Sequence, residues 1–343
     1  MFIGLLIVIL SASCFGVCFL PVRYMNKFAW ENIWFVYSLL AVVLFPILVG
    51  WATIPSMVGL YREVGWRLNL IVLAAGLLSG AGVVMYGQAL IRVGMAVVNA
   101  LGNGVSLVLG AFIPLIIQHR DAMRGRLGLS LSLGVILAVA GLVICGKAAA
   151  QRDQASAYMD AEQQKGSGHA RAAMVGLLLA VGFGVVQIIM NLGLAFADDY
   201  MKLAKAHGTS DMFTANAFYI PSLVPSMLTS ALYFAWLWKK NHTLRQFRGP
   251  NLLTYCLWCL LIAVIWFLGM LLYGWAMTWM RSYGPIIGWP VFMAAITLAS
   301  AVVEYIYGDW RGRALRTLNV GLAALTISIA VFAYANLLIQ QAG

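Results

Sequence analysis

Amide side chains recur at helical spacing inside strongly apolar stretches of this chain. Asn99 and Asn103 are four residues apart, and Gln187 and Asn191 repeat that spacing further along. Side chains at positions i and i+4 lie on one face of a helix, so each pair presents two amides to the same neighbours. An amide both donates and accepts hydrogen bonds, which suits a ligand that carries a ring of hydroxyl groups. The two pairs therefore predict a polar cavity that binds a small polyhydroxylated molecule.

Other side chains can complete such a cavity. Gln88 is a further amide within an apolar stretch, and Trp266, Tyr273 and Trp289 offer flat faces on which the C–H face of a sugar ring stacks. Amides in membrane helices also bond directly from helix to helix, and many aromatic residues belong to the interfacial belt. For the set as a whole, we favour the lining of a cavity.

The composition is that of a protein that crosses a membrane several times. Of the 343 residues, 63% are hydrophobic and 10% charged, with a mean hydropathy of +0.90. Soluble domains carry about 25% charged residues. The 22 Lys and Arg residues, which give a formal net charge of +11, lie almost entirely between apolar segments. That distribution is typical of loops beside a membrane, so the charge does not indicate a nucleic-acid partner.

The apolar segments predict the fold, because a helix needs about 20 such residues to cross a bilayer. Ten segments qualify, at 2–22, 33–53, 68–91, 95–117, 127–146, 172–196, 212–238, 252–279, 283–307 and 314–338. A polar linker, 147–171, separates a first five-helix repeat, 1–146, from a second, 172–343. An odd number of helices gives the two repeats opposite orientations. We predict an all-α polytopic membrane protein with ten transmembrane helices in two inverted five-helix repeats.

Short motifs recur at one fixed distance, which supports the two repeats. Residues 86–90 (YGQAL) are answered by 273–277 (YGWAM), Arg124-Gly125-Arg126 by Arg311-Gly312-Arg313, and Gly134 by Gly321. Each match is offset by 187 residues. Inverted homologous halves are typical of secondary transporters, whose substrate site lies where the halves meet.

A carboxylate within the membrane is the usual means of coupling transport to an ion. Glu304 is the acidic residue that falls inside an apolar segment, near the end of that segment. We name Glu304 as the candidate for ion coupling. The alternative is an interfacial carboxylate, in which case transport would be uncoupled.

The sequence offers no catalytic, metal or cofactor site. His119, His169, His207 and His242 lie in loops or at helix ends, without a nucleophile or carboxylate at the spacing of a triad or metal site. Cys256-Leu257-Trp258-Cys259 lacks a second pair of metal ligands and polar surroundings. These cysteines are interpreted as packing residues, and the protein is predicted not to be an enzyme.

The distribution of basic residues predicts the orientation. Fourteen Lys and Arg lie in or next to the loops after the odd-numbered segments, and eight after the even-numbered ones. The positive-inside rule places the first group of loops in the cytoplasm and both termini outside. The loop after the sixth segment, with Asp198, Lys202 and Asp211, is longer than its counterpart after the first.

Several motifs resemble those of one transporter family. They are Ser11-Ala12-Ser13-Cys14-Phe15, Trp30-Glu31-Asn32-Ile33-Trp34, Tyr86-Gly87, Arg92-Val93-Gly94-Met95, Met190-Asn191 and Asp309-Trp310. Over nearly its whole length, the chain resembles the L-rhamnose–proton symporter family of the drug/metabolite transporter superfamily. The resemblance implies ten helices, a bacterial inner membrane and uptake of a deoxy-hexose driven by proton re-entry. Asn191 is the intramembrane polar residue at which the match is best.

The resulting expectation is proton-coupled uptake of L-rhamnose or a related deoxy-hexose by alternating access. The partners are then the sugar, protons and the lipid bilayer, with no cofactor. An exporter or a uniporter of another small polar solute is the alternative among transporters. A membrane sensor or assembly protein is the alternative from another class.

Overall fold

A computed structural model describes residues 2–123, 125–157, 168–196 and 198–342. Its α-helices are α1 Phe2–Val17, α2 Trp30–Ser38, α3 Phe45–Thr53, α4 Met57–Val64, α5 Trp66–Val93, α6 Met95–Gln118, α7 Gly125–Ala157, α8 Gly168–Gln187, α9 Ile189–Phe196, α10 Asp198–Ala206, α11 Asn216–Asn241, α12 Leu252–Met280, α13 Trp289–Ile306 and α14 Gly312–Ala342. Two π-helical segments, Leu39–Leu44 and Gly284–Gly288, lead into α3 and α13. The described residues form no strand, which confirms the all-α class.

Nine helical stretches in the described ranges are long and apolar enough to cross a membrane. They are Phe2–Tyr24, Trp30–Thr53, Trp66–Val93, Met95–Gln118, Gly125–Arg152, Ala172–Phe196, Asn216–Asn241, Leu252–Ile306 and Gly312–Gln341. The chain is therefore a multi-pass membrane protein. The 55 residues of Leu252–Ile306 unite two predicted segments. As one straight helix they would measure ~80 Å, against a hydrocarbon core of ~30 Å.

Contacts with α1 reveal that this long stretch reverses direction. Ser11 donates a hydrogen bond to the carbonyl oxygen of Gly269 over 2.7 Å, and Gly4 lies against Met280. Residue numbers thus rise along α1 while they fall along α12, so the two helices are antiparallel.

The second part of the stretch runs the other way along α1. Val8 lies beside Gly288, and Ser300 donates to the carbonyl oxygen of Gly16 over 3.1 Å. α13 is therefore parallel to α1 and antiparallel to α12. The reversal is at Arg281, whose φ of 54° ends α12.

Small residues let the helices of the bundle approach closely. α1 packs against α12 and α13, while α8 packs against α5 and α6; further pairs are α5 with α11, α2 with α12, α6 with α7, α13 with α14, and α7 with α14. The close contacts are Gly80 with Ser226, Gly102 with Gly184, and Gly141 with Gly321. Glycine at such crossings favours van der Waals packing between membrane helices.

α7 extends further than the predicted fifth segment. It continues to Ala157, so residues 147–157 of the predicted linker are helical. Residues 158–167 of that linker and Arg124 of the predicted repeat lie outside the described ranges.

Candidate functional site

One face of α6 carries a polar stripe along most of the helix. Asn99, Asn103, Ser106 and Gly110 follow one another at intervals of four, three and four residues. These intervals keep all four positions on one side of an α-helix. The beginning of the stripe lines a cavity, and its end joins a buried polar cluster.

The Asn191 cluster consists of Ser106, Gly110, Asn191, Tyr273 and Trp289. The amide nitrogen of Asn191 donates to the carbonyl oxygen of Gly110 over 3.0 Å and to that of Pro285 over 3.3 Å. The amide oxygen accepts a 2.9 Å hydrogen bond from the Tyr273 hydroxyl. Asn191 is 0% exposed, so this bonding satisfies both of its donors and its oxygen away from water.

Prolines explain why the amide of Asn191 is required at this place. In an α-helix the N–H of residue 114 would bond to the oxygen of Gly110, but Pro114 has no N–H. In the π-helical turn the N–H of residue 290 would bond to the oxygen of Pro285, and Pro290 likewise lacks it. Asn191 donates to both of these unpaired carbonyl oxygens.

A polar side chain also donates to a carbonyl oxygen that a proline of α11 leaves unpaired. Pro221 leaves the carbonyl oxygen of Ala217 without its helical donor, and the Tyr61 hydroxyl donates to that oxygen over 3.1 Å. Polar side chains thus donate to three carbonyl oxygens that prolines leave without a backbone donor, which is how membrane helices satisfy such groups away from water.

Trp289 closes the cluster on its other side. Its indole nitrogen donates to the backbone oxygen and the hydroxyl oxygen of Ser106, at 3.1 and 3.2 Å. The ring meets Tyr273 edge-on, with centroids 5.9 Å apart, and stacks on Phe292 at 5.6 Å. A Cβ atom on Gly110 would overlap the indole, so glycine is required where the ring crosses α6.

Gly110→Ala tests this close approach. We expect the extra methyl group to displace the Trp289 ring and to lower the free energy of unfolding by about 1–3 kcal/mol. Unfolding in SDS-containing mixed micelles measures that change. Gly104→Ala is the matched control, because a Cβ atom there meets nothing within 4 Å. Equal stability of both variants would contradict the packing described.

A small cavity, here the Glu304 cavity, opens where α6 begins. Its volume is about 170 Å³, and Asn99, Asn103, Thr297, Ser300 and Glu304 are among its lining residues. α6, α7, α13 and α14 contribute to its walls. The cavity combines amides and hydroxyls with one carboxylate, which is the chemistry of a site for a hydroxylated ligand.

Glu304 is held by two partners at the mouth of this cavity. Arg152 of α7 forms an ion pair with its carboxylate at 3.2 Å, and the indole nitrogen of Trp310 donates to the same oxygen over 3.0 Å. The guanidinium of Arg152 also lies over the Trp310 ring, 4.6 Å from its centroid. A short distance away, Arg23 and Asp309 form a second ion pair.

A larger cavity, here the Arg281 cavity, lies at the opposite end of α6. It measures about 560 Å³, and Gln118, His119, Arg281 and Pro285 are among its lining residues. Burial lowers the pKa of His119, which favours the neutral ring, and its imidazole stacks on Tyr283 at 4.1 Å. α6 has 24 residues, so the two cavities open at ends that are ~36 Å apart.

The Asn191 cluster separates these cavities. Pro285 lines the Arg281 cavity, and its carbonyl oxygen accepts a hydrogen bond from Asn191. On the other side, Trp289 and Ile296 lie two turns apart on α13, and Ile296 already lines the Glu304 cavity. The buried polar cluster thus lies between the two cavities.

The nine residues singled out from the sequence fall into three groups. Asn191, Tyr273 and Trp289 meet in the buried cluster, whereas Asn99, Asn103 and Glu304 share the small cavity. The remaining three, Gln88, Gln187 and Trp266, lie apart from both groups.

Each residue of this last group has other surroundings. Gln88 donates to the Tyr233 hydroxyl at 2.9 Å and accepts from Arg92 at 2.7 Å. The buried amide oxygen of Gln187 has no hydrogen-bond partner in the described part of the chain. Trp266 packs on Phe15, with ring centroids 5.4 Å apart.

Some residues of the site were not anticipated. Arg152 lies in the predicted linker, and no role was predicted for Pro114 or Pro290. A proline inside an apolar segment does signal an unpaired carbonyl one turn earlier, which could have pointed to Gly110. Within the described ranges, no three His, Cys, Asp or Glu residues converge on a metal site.

The chain is similar to known transporters over most of its length. Residues 1–339 match the L-rhamnose-proton symport protein family. An L-rhamnose-proton symporter of Yersinia pestis (strain Pestoides F) is 24% identical over 312 residues, which cover 88% of this chain and 86% of the relative. The L-rhamnose-proton symporter of Yersinia pseudotuberculosis serotype O:1b (strain IP 31758) matches over the same shares at 24% identity. These relatives are transporters and not enzymes, and the resemblance read from the sequence is confirmed. The chain belongs to the L-rhamnose-proton symport protein family.

Proposed function

We propose that this protein takes up L-rhamnose or a related deoxy-hexose together with a proton, by alternating access, across a bacterial inner membrane. The observation that carries the proposal is the pair of cavities with polar lining residues at opposite ends of α6, with the Asn191 cluster between them. A transporter that exposes one site to each side in turn needs such a barrier. Membership of the family supplies the classes of substrate and coupling ion.

We further propose ten membrane crossings in two inverted repeats. The crossings are α1, α2–α3, α5, α6 and α7 in the first half, and α8–α9, α11, α12, α13 and α14 in the second. When each helix is replaced by its counterpart in the other half, the contacts of α1 with α12 and α13 correspond to those of α8 with α5 and α6. In the same way, the contact of α6 with α7 corresponds to that of α13 with α14, and the contact of α2 with α12 corresponds to that of α11 with α5. Packing that repeats in this way supports a pseudo-twofold axis.

The sugar would bind in the Glu304 cavity. Asn99 and Asn103 present donors and acceptors to hydroxyl groups, with Thr297 and Ser300 opposite them. The volume of about 170 Å³ is several times the ~30 Å³ of a water molecule, so the cavity has room for a ligand larger than water. Opening of the cluster would then expose Asn191, Tyr273 and Trp289 to the sugar. Gln88, Gln187 and Trp266 stay predicted binding residues.

Glu304 would carry the coupled proton. Its carboxylate lies at the cavity mouth and is paired with Arg152, so protonation removes the charge that holds α13 to α7. The proton thereby changes both the cavity and a contact between the two halves. This double role is what coupling requires, because a ligand shifts a conformational equilibrium only through differential binding.

The excess of basic residues after the odd-numbered segments indicates which side of the membrane each cavity faces. Under the positive-inside rule, the Glu304 cavity faces the cytoplasm, while the Arg281 cavity and both termini face the periplasm. The family relatives from Yersinia support a bacterial membrane.

Transport by purified protein in proteoliposomes tests the proposal. We expect an inward proton gradient to accumulate labelled L-rhamnose above the external concentration, and a protonophore to abolish that accumulation. Equilibration without accumulation would indicate a uniporter. Efflux driven by the opposite gradient alone would indicate an exporter, and the absence of any flux would favour a sensor or assembly protein.

A further inference from the structure

The Arg281 cavity has a wall that is specific to the second half of the chain. α10 and the turn after it form a long connection between α9 and α11, and the corresponding connection after α1 is shorter. This connection supplies Asp198, Lys202, Lys205 and Asp211 to the cavity. The charges pair among themselves, because Lys202 lies 2.7 Å from Asp198 and Lys205 lies 2.7 Å from Asp211.

Arg281 also lines the cavity and belongs to neither of these two ion pairs. No described Asp or Glu lies within 4.0 Å of its guanidinium, and with neutral His119 the lining carries three cations against two carboxylates. The cavity therefore has an excess positive charge at Arg281. Arginine binds a carboxylate through two parallel N–H donors, which makes it the preferred partner of that group.

The backbone at Arg281 is held in a conformation that favours glycine. Its φ is 54° and its ψ is −144°, while its N–H still closes the last turn of α12 on the oxygen of Met277. A side chain in this region costs about 1–3 kcal/mol, and such residues cluster at ligand sites. This backbone conformation turns the chain where α12 ends and places Arg281 on the cavity wall.

Further polar atoms in the cavity can serve a hydroxylated ligand. The Nε2 atom of His119 is buried and has no hydrogen-bond partner among the described residues. Burial lowers the pKa of this ring, which favours the neutral form, in which one ring nitrogen is a hydrogen-bond acceptor. Thr214, Thr278 and Ser282 add hydroxyl groups to the lining.

We propose that the Arg281 cavity binds an acidic monosaccharide, such as a hexuronate, with its carboxylate on Arg281. The inference rests on the proposed function, because it assumes a sugar transporter, and it names a second class of sugar at the outer face. The volume of about 560 Å³ accommodates a hexose and its hydration water. The pyranose hydroxyls face His119 and the hydroxyl side chains.

Calorimetric titration of the full-length protein in detergent without added lipid tests this proposal. D-glucuronate is compared with D-glucose, which has a neutral CH₂OH group where glucuronate has its carboxylate. We expect glucuronate to bind about tenfold or more tightly than glucose, and Arg281→Gln to remove that preference. Arg281→Lys should keep part of it. Arg120→Gln is the control, because Arg120 lies next to His119 without lining the cavity.

Three outcomes would overturn the inference. Glucuronate could bind no more tightly than glucose, or Arg281→Gln could leave the preference intact. Alternatively, inorganic phosphate and glycerol phosphate could bind at Arg281 as tightly as glucuronate, which would assign the cavity to phosphate or to a lipid headgroup. Uptake of L-rhamnose by the wild type is measured separately. Binding of glucuronate without rhamnose uptake would reject the rhamnose proposal and keep this site.

Discussion

Asn191→Leu is expected to lower the free energy of unfolding by about 2–5 kcal/mol. Leucine has nearly the same size, but it removes three buried hydrogen bonds and leaves the oxygens of Gly110 and Pro285 unpaired. Hydrogen bonds between membrane helices contribute about 0.6–1.7 kcal/mol each. Unfolding of the purified protein in SDS-containing mixed micelles measures the change.

Asn336→Leu is the matched control for that variant. Asn336 is also 0% exposed, but neither polar atom of its side chain has a hydrogen-bond partner in the described part of the chain. Its replacement removes an unsatisfied polar group, so we expect unchanged or increased stability. An equal loss in both variants would mean that the bonds of Asn191 contribute nothing specific.

Pro114→Ala separates the two roles that Asn191 can have. Alanine restores the backbone N–H that bonds to the oxygen of Gly110. The cost of Asn191→Leu should therefore fall by about 0.5–1.5 kcal/mol in the Pro114→Ala background, a coupling that a double-mutant cycle detects. If the double variant regains stability but takes up no L-rhamnose, Asn191 has a role in transport beyond stabilising the fold. Additive effects would show that Asn191 does not serve the proline-dependent carbonyl.

Glu304→Gln is expected to abolish accumulation while it leaves exchange of sugar intact. With an inward gradient of one pH unit, one coupled proton can drive about tenfold accumulation, since one pH unit corresponds to about 1.4 kcal/mol. Glutamine cannot carry that proton, so the internal sugar concentration should only equal the external one. Counterflow of labelled L-rhamnose in proteoliposomes without a gradient measures exchange.

Asp309→Asn is the control for Glu304→Gln. Asp309 belongs to the same end of α13 and is paired with Arg23, but that pair lies at the surface and does not line the Glu304 cavity. Exposed ion pairs contribute about 0–1 kcal/mol, so we expect accumulation to remain near the wild-type level. Tenfold accumulation by Glu304→Gln would exclude Glu304 as the proton carrier.

The sequence allowed local relationships to be predicted, because they depend on helical periodicity alone. The spacing of Asn99 and Asn103 placed both on one face of α6, and both line the same cavity. Their partner Glu304 is about 200 positions away, and only its presence in an apolar segment indicated a role. Hydropathy also predicted two separate segments at 252–279 and 283–307, and the helical stretch Leu252–Ile306 changes direction between them, at Arg281.

Other relationships depend on which distant helices meet, and periodicity carries no such information. Tyr273 bonds to Asn191 across 82 positions, and nothing in either segment indicates the other. Gln88 resembled the cavity amides, yet its side-chain oxygen accepts a hydrogen bond from Arg92, one turn away on the same helix. Arg152 was placed in a loop because apolar residues end near residue 146, whereas α7 continues beyond the hydrophobic stretch to Ala157.

α13 is anchored very differently at its two ends. Its first turn and the π-helical segment before it are buried and are held by the hydrogen bonds of Trp289 and Pro285, while Glu304 near the far end has one ion pair and one indole hydrogen bond. The distance from Trp289 to Glu304 along the axis is ~22 Å. A tilt of ~10° about the anchored end would therefore swing the carboxylate by ~4 Å, enough to separate it from Arg152. If Glu304 carries the proton as proposed, α13 would act as a lever that converts the gain or loss of one proton into movement at the mouth of the cavity.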